Sequence, residues 1–191
     1  DDKLGYLTQC PTNLGTGMRA SVMLHLPALE KSRTIGRIAG NLSKLGLTIR
    51  GAYGEGSEPS GSLNQLSNQV TLGISEKAAI ENLENITKQL VSQEQQARER
   101  LAKSIDIQDS VSRSLGLLKS AMVMTHDEAL KLLSNVRFGI LSGQIKDVTA
   151  DVVDSLMEKI EPATLMVNSG KNLSAQERDI ERAKILREAL S

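Results

Sequence analysis

The sequence has few of the residues on which several common functions depend. Its single cysteine, Cys10, excludes an internal disulfide and fits a reducing compartment, so we expect a cytoplasmic protein. Two tyrosines and one phenylalanine are its only aromatic residues, which leaves almost no side chains on which nucleic-acid bases could stack. The core must therefore be aliphatic, and the sequence lacks the aromatic side chains that nucleic-acid-binding proteins commonly use for base stacking.

Excess charge and long apolar runs are also lacking. The 23 basic and 23 acidic residues cancel, so composition gives no argument for nucleic acid or an anionic membrane as partner. The longest apolar run, 20–29, is interrupted by His25 and Pro27 and is far shorter than the roughly 20 residues that a membrane span needs. No Cys, His and carboxylate group has metal-ligand spacing, so we expect no protein-held metal.

The distribution of glycine divides the chain near residue 74. Eleven of the 15 glycines lie in residues 1–73, where turn signals separate short apolar segments. The apolar spacing from Ser32 to Leu45 predicts a helix that Gly46 ends. The predicted strands of this α+β part are Leu4–Thr8, Ser21–Leu26, Leu47–Arg50 and Gln69–Leu72.

Beyond residue 74 the apolar residues recur at helical spacing. Ser75 and Thr149 are candidate helix caps, and Thr125–Glu128 and Ser174–Glu177 have the sequence of capping boxes. We therefore predict a bundle of helices. One predicted buried stripe consists of Val111, Leu115, Leu118 and Met122.

The stretch from Cys10 to Ala20 brings a thiol, a glycine loop and an arginine together. Gly15 and Gly17 allow positive φ or a close approach to a ligand. On residue types alone, a buried structural cysteine beside an ordinary turn is the simpler interpretation. The stretch reads Cys-Pro-Thr-Asn-Leu-Gly-Thr-Gly-Met-Arg-Ala.

This stretch closely resembles the signature of the phosphagen kinases, the ATP:guanido phosphotransferases. The continuation Ser21–Leu29 and the segment Arg50–Glu58 resemble the bacterial protein-arginine kinase branch. The resemblance implies an α+β fold for residues 1–103: the carboxy-terminal half of a phosphagen-kinase (glutamine-synthetase-like) catalytic domain, with an antiparallel sheet and flanking helices. Residues 106–191 would then be an all-α regulatory and dimerisation domain.

The same resemblance implies a nucleotide site for ATP, with Mg²⁺ arriving on the nucleotide. Arginine suits this role because its planar, permanently charged fork matches phosphate oxygens. Taken alone, Arg50 would more simply be a strand-end residue in a surface ion pair. The implied nucleotide-binding residues are Arg19, Ala20, Ser21, Val22, Met23, Arg50, Gly51, Ala52, Tyr53, Gly54 and Glu55.

Catalytic roles are implied for Cys10, Arg19, Arg50 and Glu55. In the family, a glutamate at the place of Glu55 contacts the acceptor guanidinium, where it could orient the acceptor and supply part of the base function. A Cys10 thiolate beside cationic groups would have a lowered pKa and could position the acceptor without forming a covalent bond.

A second motif, Arg178-Asp179-Ile180-Glu181-Arg182-Ala183, lies near the end of the sequence. An ordinary charged helix face explains it adequately in isolation. It also matches the Arg-Asp-x-x-Arg-Ala motif by which bacterial protein-arginine kinases bind phosphoarginine as an allosteric signal. Arg178 and Arg182 would then face the phosphate and Asp179 the guanidinium, beside Ala183.

The resemblance implies transfer of the ATP γ-phosphate to arginine side chains of proteins, which marks them for degradation in the stress response. Implied partners are a heat-shock repressor as substrate, a zinc-binding activator protein, a downstream Clp-type protease and a second copy of the chain. The amino-terminal half of the catalytic domain is absent, so we expect the isolated chain to be inactive. Rival hypotheses are a non-catalytic phosphoarginine-binding and dimerisation module, and a kinase for a small free guanidine.

Overall fold

A three-stranded antiparallel sheet forms the framework of the first unit, Asp1–Ala97, of the computed structural model. The structure describes residues 1–10, 13–51 and 60–191. Within them the strands follow the order β1-β3-β2, so β3 is the central strand. The strands are β1 (Ser21–His25), β2 (Leu47–Gly51) and β3 (Leu63–Asn68).

Helices accompany this sheet. A short 3₁₀ turn, Ser60–Ser62, leads into β3. Ser75 begins the long helix of 26 residues, because its hydroxyl accepts a hydrogen bond from the amide of Ala78 at 3.2 Å. The helices are α1 (Pro27–Lys31), α2 (Ile35–Lys44) and α3 (Glu76–Leu101).

The sheet has one buried face and one open face, as antiparallel sheets commonly do. Leu24, Leu47 and Leu66 point into an aliphatic core that also contains Leu83 and Leu90 of α3. Fully burying each such side chain contributes roughly 1.5–3 kcal/mol. The opposite face, called the open face below, carries mostly polar side chains, among them Ser21, Arg50 and Gln65.

The buried side chain of Glu94 connects α3 to α1 through hydrogen bonds. Its carboxylate is 4 % exposed and accepts hydrogen bonds from the amides of Ala28 and Leu29, each at 2.9 Å. These are the first amides of α1, which have no partners within the helix and favour a negative charge. A buried carboxylate therefore caps the helix that directly follows β1.

The second unit, Arg98–Ser191, is built from helices. In it, α4 (Ile105–Ser120) packs against both α5 (His126–Leu141) and α8 (Ala175–Leu190). Residues Leu130, Leu133 and Val136 of α5 are completely buried. Gly139 allows α4 to come close, because a Cβ atom there would lie 2.4 Å from a methyl group of Val111. The helices are α4 (Ile105–Ser120), α5 (His126–Leu141), α6 (Ala150–Lys159), α7 (Pro162–Ser169) and α8 (Ala175–Leu190).

The helix caps of this unit lie where the sequence predicts them. The hydroxyls of Thr125 and Thr149 accept from amides in the first turns of α5 and α6. Ser174 and Glu177 form the complete, reciprocal capping box of α8. The helical bundle is thus defined by local sequence signals as well as by its core.

The structure corrects three sequence predictions about secondary structure and one about burial. The strand predicted at Gln69–Leu72 is instead Leu63–Asn68, while Leu4–Thr8 forms only isolated bridges to Gly15. The helix predicted from Ser32 begins later, at Ile35, because Arg33 adopts a φ of 56°. Met122 is 70 % exposed, since α4 ends before reaching it.

Candidate functional site

The glycine loop that precedes β1 is packed against the segment that follows β3. The amide of Thr16 donates to the carbonyl of Thr71 at 2.9 Å, and the Thr71 hydroxyl donates to the carbonyl of Leu14 at 2.7 Å. Gly15 has a φ of +103°, and a Cβ atom there would lie 2.2 Å from the Thr71 carbonyl oxygen. The close approach predicted for this glycine is therefore to the protein's own backbone.

Arg19 leaves this loop just before β1, with its side chain exposed. Its Nη2 atom donates to the hydroxyl of Ser67 at 3.2 Å. The adjacent backbone is held by Asn68, whose side chain bonds the amide of Ala20 at 2.7 Å and the carbonyl of Met18 at 3.1 Å. The base of Arg19 is thus fixed while its guanidinium faces solvent.

Strand register places Arg50 on the same sheet face. Arg50 in β2 lies opposite Gln65 in β3, and Gln65 lies opposite Met23 in β1. The next row along this face contains Ser67, the partner of Arg19. Directly opposed side chains in an antiparallel pair share a face, so Arg50, Gln65 and Ser67 lie on one surface. Arg19, 31 positions before Arg50 in sequence, reaches this surface through its bond to Ser67.

This arrangement is chemically suited to polyphosphate. Two permanently charged guanidiniums on a polar sheet face can each donate several hydrogen bonds to phosphate oxygens. Serine and glutamine side chains fill the space between them, and Gln65 Nε2 donates to the Ser21 hydroxyl at 3.0 Å. The side chains of this face thus have the chemistry to bind phosphate groups.

The other predicted nucleotide-binding residues divide between the two faces of the sheet. Ser21 and Met23 are exposed on the open face. Ala20 and Val22 pack against the core, so their side chains point away from this face. Gly51, the buried last residue of β2, lies opposite Asn64.

The acceptor side of the predicted site is only partly described. Ala52, Tyr53, Gly54 and Glu55 lie outside the described residues, so their roles remain predictions. Cys10 is exposed, and its carbonyl accepts from the Thr8 hydroxyl at 2.7 Å and from the amide of Asn13 at 3.0 Å. The cysteine thus lies at the surface of the first unit.

The predicted phosphoarginine motif begins in the first turn of α8, and its two arginines have different surroundings. Arg178 is half-buried and donates to the carbonyl of Leu173 at 2.8 Å. Arg182 is only 1 % exposed. It donates to the carbonyls of Ile160 at 3.1 Å and Met124 at 2.9 Å, and it pairs with Asp179 at 2.5 Å.

Arg182 therefore connects three segments of the bundle, and Arg178 is the more accessible cation. Ala183 is buried beside Arg182 at 1 % exposure. A second guanidinium, that of Arg187, donates to the carbonyl of Ala121 in the linker between α4 and α5. The allosteric roles of the motif residues remain predictions.

Sequence reasoning missed Ser67, Asn68 and Thr71, which hold the glycine loop and Arg19. All three are buried, yet in sequence they look like ordinary polar residues of a strand or turn. The bonds of Ser67 and Asn68 to Arg19 and Ala20 each span 48 positions. No local signal in the sequence indicates such partners.

The described residues contain neither a membrane-spanning helix nor a cluster of metal-ligating side chains. No helix among residues 1–10, 13–51 and 60–191 is both long and apolar enough to cross a membrane. In the same part of the chain, no group of three or more His, Cys, Asp or Glu residues is arranged to hold a metal ion.

Comparison with known proteins identifies the class of this chain. Residues 1–97 match the ATP:guanido phosphotransferase C-terminal catalytic domain, and the chain therefore belongs to the ATP:guanido phosphotransferase family. Residues 104–191 match the C-terminal domain of the protein-arginine kinase McsB. The resemblance drawn from the Cys10–Ala20 signature and the α+β fold class are both confirmed.

Similar proteins point to one branch of the family. The chain is 51 % identical to a protein-arginine kinase of Halothermothrix orenii over 99 % of its own length and 55 % of that relative. It is 49 % identical to a protein-arginine kinase of a Geobacillus species, covering 100 % of the chain and 53 % of the relative. A protein-arginine kinase of Clostridium acetobutylicum is 47 % identical over 100 % of the chain and 56 % of the relative. The chain thus spans about half the length of the curated relatives it matches.

Proposed function

We propose that this chain acts in a protein-arginine kinase, providing the nucleotide-binding sheet face and a helical regulatory domain. The observation that carries the proposal is the placement of Arg19 and Arg50 on the open face of one sheet. This face belongs to a chain that matches a guanido phosphotransferase domain and, separately, a protein-arginine kinase domain.

The reaction needs phosphates held in place and their charge compensated. A nitrogen of the acceptor guanidinium forms a bond to the γ-phosphorus of ATP as the bond to the ADP oxygen breaks, and the guanidinium loses a proton. Arg19 and Arg50 bind the phosphates and stabilise the charge that develops on them. Magnesium would arrive on ATP and would compensate part of the phosphate charge beside Arg19 and Arg50.

Glu55 and Cys10 act on the acceptor side of this proposal. The Glu55 carboxylate orients the incoming guanidinium and takes part in removing its proton. Cys10 positions the same group electrostatically and does not attack phosphorus. Support for these two roles comes from the signature that contains Cys10 and from the segment that follows Arg50.

The α8 motif is the proposed receptor for phosphoarginine. Arg178 is the more accessible cation and provides the first contact for the phosphate. Asp179, which pairs with Arg182 in the absence of ligand, binds the guanidinium side once Arg182 turns to the phosphate. Arg182 reaches the ligand only by exchanging the carbonyls of Met124 and Ile160 for phosphate oxygens. Ligand binding at Arg182 would therefore loosen the linker between α4 and α5, which gives the site a route to the rest of the bundle.

The wider biological role rests on the resemblance alone. By this resemblance, the phosphorylated proteins are degraded by a Clp-type protease during stress. A heat-shock repressor is one substrate, and a zinc-binding activator protein controls the kinase. The kinase would act in the cytoplasm as a homodimer formed through the helical domain.

Phosphoarginine formation on a protein substrate tests the proposal. The chain is joined to the amino-terminal part of the Halothermothrix orenii relative, incubated with MgATP and an arginine-rich protein, and the products are analysed by ³¹P NMR and mass spectrometry. We expect transfer by the joined protein and none by the 191-residue chain alone. Arg19→Ala or Arg50→Ala should lower kcat/KM by about 100-fold or more, whereas Arg37→Ala, an exposed arginine of α2, should not.

Other results would select the rival functions. Phosphorylation of free arginine with no transfer to proteins would indicate a kinase for small guanidines. Absence of transfer, combined with phosphoarginine binding that depends on Arg178, would indicate a non-catalytic binding module.

A further inference from the structure

Asn68, the last residue of β3, uses its whole side-chain amide to hold the backbone around Arg19. The side chain is 6 % exposed. Its Oδ1 atom accepts from the amide of Ala20 at 2.7 Å, and its Nδ2 atom donates to the carbonyls of Met18 at 3.1 Å and Val70 at 3.2 Å. One buried side chain therefore fixes the residues on both sides of Arg19.

The preceding residue, Ser67, holds the other end of the same arginine. Ser67 is only 1 % exposed, and its hydroxyl accepts a hydrogen bond from Arg19 Nη2 at 3.2 Å. A guanidinium has five N–H donors, so this bond leaves four for a ligand. Two consecutive residues of the central strand thus hold the backbone and the guanidinium of an arginine that remains exposed.

We propose that Asn68, assisted by Ser67, is a positioning residue that preorganises Arg19 for nucleotide phosphates. This inference rests on the proposed function, because it takes the open sheet face as the nucleotide site. A long side chain loses rotamer freedom when it binds phosphate, and a side chain already held in place loses less. Asn68 touches no substrate in this arrangement and acts only through Arg19.

The same strand offers a matched control. Asn64 is also buried, at 2 % exposure, and its Nδ2 atom also makes two hydrogen bonds, to Glu30 at 2.8 Å and to the carbonyl of Ser62 at 3.2 Å. None of these bonds reaches the segment around Arg19. Replacing either asparagine with alanine removes buried hydrogen bonds from β3, but only one replacement releases the arginine.

The test is a double-mutant cycle on MgADP binding by the full 191-residue chain, at a temperature where every variant is folded. Asn68→Ala should raise the Kd for MgADP about tenfold, the size of one weakened charge-assisted contact. Asn64→Ala should change it less than about twofold while lowering the unfolding midpoint similarly. In an Arg19→Ala background, Asn68→Ala should have almost no further effect on Kd, because its partner is already gone.

A second measurement does not depend on the ligand. The order parameter of the Arg19 Nε–H group, measured by ¹⁵N relaxation in the apo protein, should fall in Asn68→Ala and stay unchanged in Asn64→Ala.

Three results would overturn the inference: equal Kd changes for the two asparagine variants, full additivity with Arg19→Ala, or an unchanged Arg19 order parameter in Asn68→Ala. Absence of saturable MgADP binding by the wild-type chain would instead overturn the proposed nucleotide site. In that case the order parameter would still decide whether Asn68 holds Arg19.

Discussion

Replacing Arg182 with alanine should destabilise the helical unit much more than replacing Arg178. The Arg182 guanidinium is 1 % exposed and donates to the carbonyls of Met124 and Ile160 and to the Asp179 carboxylate. Its removal takes the donor away from two backbone acceptors and leaves a carboxylate without its partner. Asp179 is partly exposed, but the lost guanidinium is buried and also serves two buried carbonyls, so we expect a cost of about 3–5 kcal/mol. The single bond of Arg178 to a carbonyl is worth about 1 kcal/mol.

Native-state hydrogen exchange can measure both costs. The amides of Leu133 and Val136 lie in the core of α5, so their exchange reports the free energy of opening the unit. We expect that free energy to fall by about 3–5 kcal/mol in Arg182→Ala and by about 1 kcal/mol in Arg178→Ala. Equal losses in the two variants would refute the view that Arg182 is mainly a structural connection. Phosphoarginine titration of Arg178→Ala, which we expect to stay folded, separately tests the ligand role of the motif.

Three further predictions concern other contacts. Gly15→Ala should lower the unfolding midpoint and weaken nucleotide binding, because the new Cβ atom would lie 2.2 Å from the carbonyl oxygen of Thr71. An unchanged melting curve would contradict this close approach. Glu94→Gln should lower the free energy of unfolding in urea by about 2–3 kcal/mol, because a neutral amide replaces the buried carboxylate that accepts two α1 amides. A loss below about 0.5 kcal/mol would exclude this capping role of Glu94. The Ser174 hydroxyl and amide donate hydrogen bonds to the Glu177 carboxylate, which lowers the pKa of Glu177 below its ordinary value. These bonds therefore stabilise the folded state at neutral pH, and this stabilisation is lost as pH falls below the usual glutamate range. Ser174→Ala removes the hydroxyl but keeps the amide, so it should reduce this part of the acid-induced loss of helical circular dichroism. An identical acid titration would argue against the contribution of the hydroxyl.

Local signals predicted the helical unit well because they act over short distances. A capping box needs only Ser174 and Glu177, three positions apart, and both partners are visible in the sequence. The arginines of the sheet face were likewise found through continuous motifs around Arg19 and Arg50. These signals do not depend on the tertiary fold.

The central strand was missed because tertiary pairing determines it. Leu63–Asn68 reads Leu-Asn-Gln-Leu-Ser-Asn, which has low intrinsic preference for a strand. It forms one because β1 and β2 pair with it on both sides. Its buried Asn64 and Asn68 are acceptable there only because distant groups satisfy them, at separations such as 34 and 48 positions.

The position of Arg182 could not be predicted for a related reason. Two arginines four residues apart on a helix usually indicate one solvated face. In α8 one of them turns inward, because the carbonyls at the end of α6 and before α5 provide buried acceptors. The sequence identifies the motif, while packing determines which cation is accessible.

The most direct test of the central claim is calorimetric titration of MgADP into the 191-residue chain and its arginine variants. We predict saturable binding that weakens at least about tenfold in Arg19→Ala and in Arg50→Ala, as expected when one charge-assisted phosphate contact is lost. Arg37→Ala, which removes an exposed arginine from α2 of the same unit, should bind like the wild-type chain. Binding that is absent, or that is equally strong in all three variants, would contradict the assignment of the open sheet face to nucleotide phosphates.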